Sequence, residues 1–502
     1  MIENLPPETP EEPAPGESNK SLSWTTHWQR ITREHKLRHT RAQYSALLSG
    51  NIAGSSGYGW HVATATLREV RLTSFKSFRD QVLPIEAITV LTGLNSSGKS
   101  NALDAIEVLT RLAGGEDLRD ALDGRKREAG TVRGGSIGCA PHGSDEFALG
   151  CTVEFQDELY LLDLRIEVRP ELRIVEEHLR GPGDMASGKR WYVELLTTRQ
   201  PDGPILGVEV FNGKPGPNPT EFFRDSRLVT AQAAMALKPE TPSAQSVVDG
   251  ASIVISALRG VFHLDPVPHL MRGYVPGRDT ELRRTGENLS AALRRLEREE
   301  NNVFSQVVGL IRAVGGDGIH NVRITGSELG DVMLALEEQY GAGPTQLTPA
   351  REMSDGLLRF AAIATALLTA TRGLDIANEL PDIPSVLLVL EELENGLHPS
   401  QSGRVLRLLQ SVSENMATQV LFTSHSPALL NELTGTLNTG VVVCHRTEDG
   451  HTELTRLVDL DGFAEAMAAG RLGDLVSSGR MVRPEHRDVD MAAVERLFGG
   501  DQ

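Results

Sequence analysis

The chain has 502 residues and a formal net charge of −18, with 39% hydrophobic and 24% charged residues. This composition is that of a globular protein of roughly two to four domain-sized units and excludes a disordered or collagen-like polymer. The acidic balance argues against indiscriminate nucleic-acid binding, while leaving room for a local basic groove. Three cysteines without a CxxC pair exclude a disulfide framework or a zinc hook. The apolar run Val386–Leu390 is far too short to span a bilayer and no secretory leader is recognisable, so a soluble, cytoplasmic protein without membrane partners is expected.

In chain order, residues 1–20 are rich in Pro, Glu and Ser and read as disordered. Residues 27–41 carry Arg30, Arg33, Lys36, Arg38 and Arg41 against Glu34. That run fits a solvated charged face, translated sequence upstream of the true start, or a basic arm touching nucleic acid. Gly50–Gly59 reads as a linker, which makes 1–65 an N-terminal extension. Leu67, Val70, Leu72 and Phe75 predict a strand leading into Phe75-Lys76-Ser77-Phe78, and Ala87–Leu91 a strand entering a glycine-bounded loop. Leu103, Ile106, Leu109 and Leu112 then recur as the buried stripe of a helix, within a lobe spanning 66–140.

Residues 141–345 read as a compact insertion, β-rich and then helical. Its expected strands are Cys151–Phe155, Tyr160–Val168, Trp191–Thr197 and Gly207–Phe211, and Leu289–Val314 is expected as one helical stretch. From 346 to 460 an α/β rhythm returns. It comprises a helix near Leu357–Thr371, the strand Val386–Leu390, a helix with Val405, Leu408, Leu409 and Val412 on one face, and strands at Val420–Thr423, Val441–Cys444 and Thr452–Leu457. Residues 461–502 read as a helical tail. Strand–helix alternation on both sides of a different middle predicts an α/β nucleotide domain split by a mixed β/helical insertion.

Gly93-Leu94-Asn95-Ser96-Ser97-Gly98-Lys99-Ser100 fits GxxxxGK[ST] after a strand and before a helix. Glycines let the backbone N–H groups close around phosphate oxygens, and the helix N-terminus adds partial positive charge. Lys99, one of only 8 lysines, is placed to bridge the β- and γ-phosphates, and the Ser100 hydroxyl to ligate Mg²⁺. Glu391 and Glu392 emerge from an apolar strand. Alone, two acids there are commonly just exposed; beside a phosphate loop, Glu391 can orient Mg²⁺ and Glu392 can polarise the attacking water. His425, ending the next strand in Thr423-Ser424-His425-Ser426-Pro427, can sense the γ-phosphate by hydrogen bond. Ser354-Asp355-Gly356 opens a helix; on local grounds a plain helix cap is the stronger reading, an anion site the weaker.

Together these pieces resemble the ABC-type ATPase head, a P-loop NTPase shared by SMC, RecF and OLD-family proteins, and most closely the stand-alone bacterial AAA-family ATP-binding proteins of that group. The phrases that carry the likeness are FKSF (75–78), GLNSSGKSN (93–101), MSDGLLRF (353–360), LEELENGLHP (390–399) and TSHSP (423–427), in the family's order. The resemblance implies two heads dimerising around two ATP molecules. Gly93, Asn95, Ser96, Ser97, Gly98, Lys99, Ser100 and Asn101 would hold ATP in cis, and Ser354, Asp355 and Gly356 would meet it in trans. Glu391, where relatives usually have Asp, would bind Mg²⁺ with Ser100; Glu392 would be the catalytic carboxylate, acting with Lys99 and the switch residue His425. Asn395, Gly396 and His398 would face the partner head. Leu393 stands where many relatives have Pro, SDG replaces SGG, and Gln156 is a candidate Q-loop glutamine unless Phe155–Tyr160 is merely a strand turn.

The stretch after His425 is too short for the TOPRIM nuclease of OLD proteins, so a separate nuclease or toxin is expected to act on DNA or RNA. The implied function is an ATP-hydrolysing homodimer, or a higher assembly, that controls such an effector in phage defence or DNA repair. The alternative is a slow-hydrolysing scaffold that sequesters its partner. A transporter subunit fits least, given SDG, FKSF and the large middle segment.

Overall fold

A computed structural model describes residues 64–124, 131–199, 203–376, 385–395, 401–415, 418–433, 435–460, 463 and 473. All of them belong to one unit, Ala63–Gln502. The expected N-terminal extension, Gly396, His398 and nearly all of the expected tail lie outside the described residues.

Strands β1 (Thr66–Phe75) and β2 (Phe78–Pro84) form a hairpin whose turn is Lys76-Ser77, and β3 (Ile88–Thr92) runs into the glycine loop and helix α1 (Lys99–Ala113). After the short α2 (Leu118–Asp123) comes an antiparallel run: β4 (Glu146–Phe155), β5 (Glu158–Glu167), β6 (Arg173–Asp184), β7 (Arg190–Thr198), β8 (Ile205–Val210) and β9 (Thr220–Arg224). Helices α3 (Val229–Ala236) and α4 (Pro242–Arg259) lead to β10 (Val261–Leu264). The chain continues through β11 (Val275–Pro276), α5 (Leu289–Glu299), α6 (Asn301–Gly315), β12 (Ile319–Gly326), β13 (Asp331–Glu338) and β14 (Gln346–Pro349). It then returns to α/β alternation in α7 (Asp355–Thr369), β15 (Val386–Leu390), α8 (Ser402–Asn415), β16 (Thr418–Ser424), α9 (Pro427–Asn431), β17 (Val441–Arg446) and β18 (Thr452–Arg456).

One fourteen-stranded sheet runs β10-β15-β16-β3-β17-β18-β2-β1-β4-β5-β6-β7-β8-β9. From β10 to β17 every pairing is parallel. Residues alternate between two cores across it: Leu91, Leu387, Val389, Leu421 and Val442 pack on the side of α1 and α4, while Val90, Leu388, Val420, Phe422 and Val443 pack on the side of α5, α7 and α8. A strand covered on both faces reads as a continuous apolar run, which explains VLLVL at β15.

The middle segment departs from a simple reading of its periodicity. Its strands β4–β9 extend the sheet on one side, while β10 docks on the opposite edge beside β15, pairing Leu264 with Leu390. The stretch 289–314 is two helices, broken at Glu300 (φ −135, ψ 54). Gln156 sits with Asp157 in the β4–β5 turn, both at positive φ (51 and 64), so the strand-turn reading of Phe155–Tyr160 holds there. Helix α4 was not expected; Thr241 caps it by accepting from Ala244 N–H, with Pro242 at its first position.

Candidate functional site

The parallel strands β3, β15 and β16 end at one edge of the sheet, with Thr92 opposite Ser424 and Leu390 opposite Phe422. The next residues, Gly93, Glu391 and His425, therefore leave the sheet side by side. Crevices outside the carboxyl ends of parallel strands are where such folds bind ligands.

The loop's shape is enforced from outside. Gly93 (φ 145) lies so close to β17 that a Cβ would meet the Cys444 carbonyl oxygen at 2.1 Å, and a Cβ on Gly98 (φ 112) would meet Thr452 Oγ1 at 2.5 Å. Ser97 O accepts from Cys444 Sγ (3.3 Å) and from Thr452 Oγ1 (3.0 Å). Arg446 Nε donates to Ser96 O at 3.1 Å. Ser77 Oγ joins the same clamp, 2.8 Å from Thr452 Oγ1, and receives Asn101 Nδ2 at 2.9 Å. The FKSF turn thus braces the phosphate loop, and the Asn101 amide is committed to that brace. Leu94, Asn95, Ser96 and Ser100 stay exposed at the open face, while Ser97 and Gly98 are buried.

Lys99 folds back over its own loop, donating from Nζ to Gly93 O (2.8 Å) and Leu94 O (3.0 Å). Burial lowers its pKa from the ordinary lysine value, with Glu392 and Glu394 opposing. Carbonyl partners of this kind are readily exchanged for phosphate oxygens, which carry full charge.

Glu391 lies half-exposed at the end of β15, where burial raises its pKa above the ordinary carboxylate value; Arg133 opposes this and Asp265 and Asp104 add to it. Asp265 follows β10 directly, so the docking of that strand brings a second carboxylate towards the site. Arg133 has no counterpart in the motif reading. One of its nitrogens reaches both Glu391 Oε1 (2.8 Å) and Ser100 O (3.2 Å), while its Nε pairs with buried Asp104 at 2.8 Å. Asp104 also holds Lys76 Nζ at 2.6 Å. Asp104 shares the polar side of its helix with Asn101, Glu107 and Arg111, so nothing in the sequence singles it out, and Arg133 lies in a glycine-rich loop with no pattern to mark it.

Glu392 adopts a left-handed backbone (φ 49), a conformation costly for a non-glycine residue. Its N–H donates to Thr423 Oγ1 at 2.8 Å, and its carboxylate accepts from the Asn395 amide. Glu394, passed over in the sequence, holds His425: its Oε1 accepts the His425 N–H at 2.8 Å and lies 3.2 Å from Nδ1. The run LEELEN therefore supplies three carboxylates with three different jobs.

Ser354 caps α7 by accepting from Leu357 N–H at 3.3 Å. Asp355 pairs with Arg272, and both Ser354 and Asp355 are exposed with Gly356 half-buried beside them. The capping reading is correct locally, and the contacts of Ser354 and Asp355 are to α7 and Arg272 rather than to the phosphate loop.

Among the described residues no group of three or more His, Cys, Asp or Glu side chains is arranged to hold a metal ion. Mg²⁺ at a phosphate asks for less, one or two side-chain oxygens completed by phosphate and water. The Ser100 hydroxyl and the Glu391 carboxylate are hard oxygen donors that fit that requirement, and one Arg133 nitrogen ties Glu391 to the backbone carbonyl of Ser100. No described helix is long and apolar enough to cross a membrane.

The family model described as "AAA domain, putative AbiEii toxin, Type IV TA system" matches residues 88–182 and 224–431, more than half of the chain. The chain belongs to this AAA-domain family. The two matched spans include the phosphate loop, β10, α7, both carboxylates and His425, together with much of the middle segment. Solved structures similar to this AAA-domain chain include an SMC head bound to the C-winged helix domain of ScpA, with 13% identity, a TM-score of 0.39, and coverage of 78% of this chain and 97% of that one. The SMC head domain from Thermotoga maritima gives 13% identity, a TM-score of 0.37, and coverage of 78% and 98%. The Pyrococcus furiosus Smc head with an extended coiled coil, bound to the C-terminal domain of ScpA, gives 11% identity, a TM-score of 0.39, and coverage of 78% and 96%. No curated protein matches the chain significantly.

Proposed function

We propose that this AAA-domain protein binds and hydrolyses ATP, closes into a homodimer around it, and uses that closure to control a separate toxin or nuclease acting on nucleic acid. The observation that carries the reading is the delivery of Lys99, Glu391, Glu392 and His425 to one sheet edge by neighbouring strands. Ser100 and Glu391 would hold Mg²⁺, which when bound supplies positive charge at the β- and γ-phosphates. Lys99 exchanges its loop carbonyls for phosphate oxygens. Arg133 releases Glu391 as nucleotide enters. Glu392, once freed from Asn395, accepts a proton from the attacking water, and His425, oriented by Glu394, donates toward the γ-phosphate. The exposed Ser354–Gly356 end of α7 meets the partner's nucleotide. The family description's wording, "putative AbiEii toxin, Type IV TA system", supports a place in a toxin–antitoxin pair.

Glu392→Gln removes the proton acceptor and keeps the phosphate contacts. With ATP and Mg²⁺ it is expected to run as a dimer in size-exclusion chromatography with light scattering, while Lys99→Ala stays monomeric and binds no nucleotide. A monomeric Glu392→Gln at saturating ATP would overturn the head-to-head reading. A second reading, the slow scaffold, is favoured by the engagement of both carboxylates, Glu391 by Arg133 and Glu392 by Asn395. Turnover that DNA or RNA leaves unchanged would select it.

A further inference from the structure

The signature turn of this chain carries an acid. Asp355 stands at the first position of α7, on the surface that is proposed to receive the partner's triphosphate, and a fixed negative charge there opposes an anionic ligand. Arg272 lies directly against it. Its Nη2 is 2.5 Å from Asp355 Oδ1, and its Nη1 donates to Arg351 O at 2.7 Å and Ala350 O at 3.3 Å. This arginine comes from the segment after β10, the strand beside the Glu391 strand, and crosses to the turn that presents Ser354.

We propose that Arg272 is a positioning residue that makes the Ser-Asp-Gly turn competent to accept a partner's phosphate, by cancelling the Asp355 charge. The inference rests on the head-to-head reading above. The guanidinium has partners besides Asp355, since Nη1 donates to two consecutive backbone carbonyls while Nη2 faces the carboxylate. An exposed ion pair adds little to folding stability, and Asp355 is 70% exposed. The value of the pair lies in the field it presents to a ligand. Without Arg272, an incoming triphosphate faces an uncompensated carboxylate at a helix end that otherwise attracts anions.

The test uses the full chain carrying Glu392→Gln, so that ATP is bound and not consumed. Sedimentation gives the ATP-driven dimer constant, and a fluorescent ATP analogue reports nucleotide binding under dilution. Arg272→Ala is expected to weaken association about tenfold or more, with monomeric nucleotide binding unchanged. Adding Asp355→Gly to Arg272→Ala is expected to restore association to within about threefold of the parent, because the repulsion has been removed with the compensating charge. Association unaltered by Arg272→Ala overturns the proposal. So does a double variant as weak as the single one, since the arginine would then act only by shaping the 350–351 turn, and so does loss of monomeric nucleotide binding. Ser354→Arg separates the two levels. If it too leaves association intact, or if the parent does not dimerise with ATP, the head-to-head reading itself has failed.

Discussion

At the scale of single residues, the chain spends charged groups in two different ways. Around the phosphate loop they are held by exchangeable partners, as Lys99 is by carbonyls and Glu391 by Arg133. Away from it they are locked. His178 on β6 is pulled down by burial, but hydrogen bonds to Glu176 and Glu194 win and lift its pKa to about 9. The same pairing pushes Glu176 down to about 2. The folded state therefore holds the His178 proton more tightly than the unfolded chain, whose histidine titrates near 6.5. Its stabilisation is complete below about pH 6.5 and disappears as pH rises through about 9. In urea denaturation, His178→Gln is expected to lose about 1–2 kcal/mol relative to the parent at pH 6 and much less at pH 10. Equal losses at both pH values would assign the effect to packing.

At the scale of elements, the phosphate loop is a clamped object. Its glycines were legible as phosphate-binding positions, and the structure adds that β17 and β18 need them just as much. Gly93→Ala drives a Cβ into the Cys444 carbonyl and also forces alanine to φ 145. It is expected to lower the stability of the nucleotide-free protein by roughly 2–4 kcal/mol in chemical denaturation, whereas Lys99→Ala shifts it by about 0.5 kcal/mol or less. A Gly93→Ala protein of full stability would show that the loop moves freely against β17. Helix α4 was also written in the sequence: Val247, Ala251, Val254, Ile255 and Leu258 form one apolar stripe between a Thr-Pro start and Gly260. The break at Glu300 was not, because the charged run Arg294–Glu300 suits an exposed helix face and the apolar periodicity resumes directly after it.

At the scale of the whole molecule, β10 decides how the middle segment must be regarded. Residues 141–345 supply the strand that covers the edge of β15, and α4, which packs beside α1. A chain in which 140 is joined to 346 is therefore expected to be insoluble or molten, with β15 left as a bare apolar edge. A soluble, cooperatively unfolding protein from that deletion, seen by circular dichroism and thermal denaturation, would show that the ATPase lobes fold alone. The same arrangement places Asp265 toward Glu391 and Arg272 against Asp355, so the middle segment touches both ends of the proposed catalytic cycle.

The sequence by itself determined the parts whose chemistry is local. The phosphate loop needs its residues consecutively, the two carboxylates and His425 need only to follow apolar strands, and period-two and helical patterns mark most elements. Tertiary structure alone decided what those parts meet. Strand order in a sheet depends on which edges and faces pack together, and no periodicity records it, so the seat of β10 beside β15 was invisible. Arg133, Glu394 and Arg272 were invisible for the same reason. Each acts through a partner far away in the chain, at Glu391, His425 and Asp355, and only folding brings a charge and its counter-charge within hydrogen-bond reach.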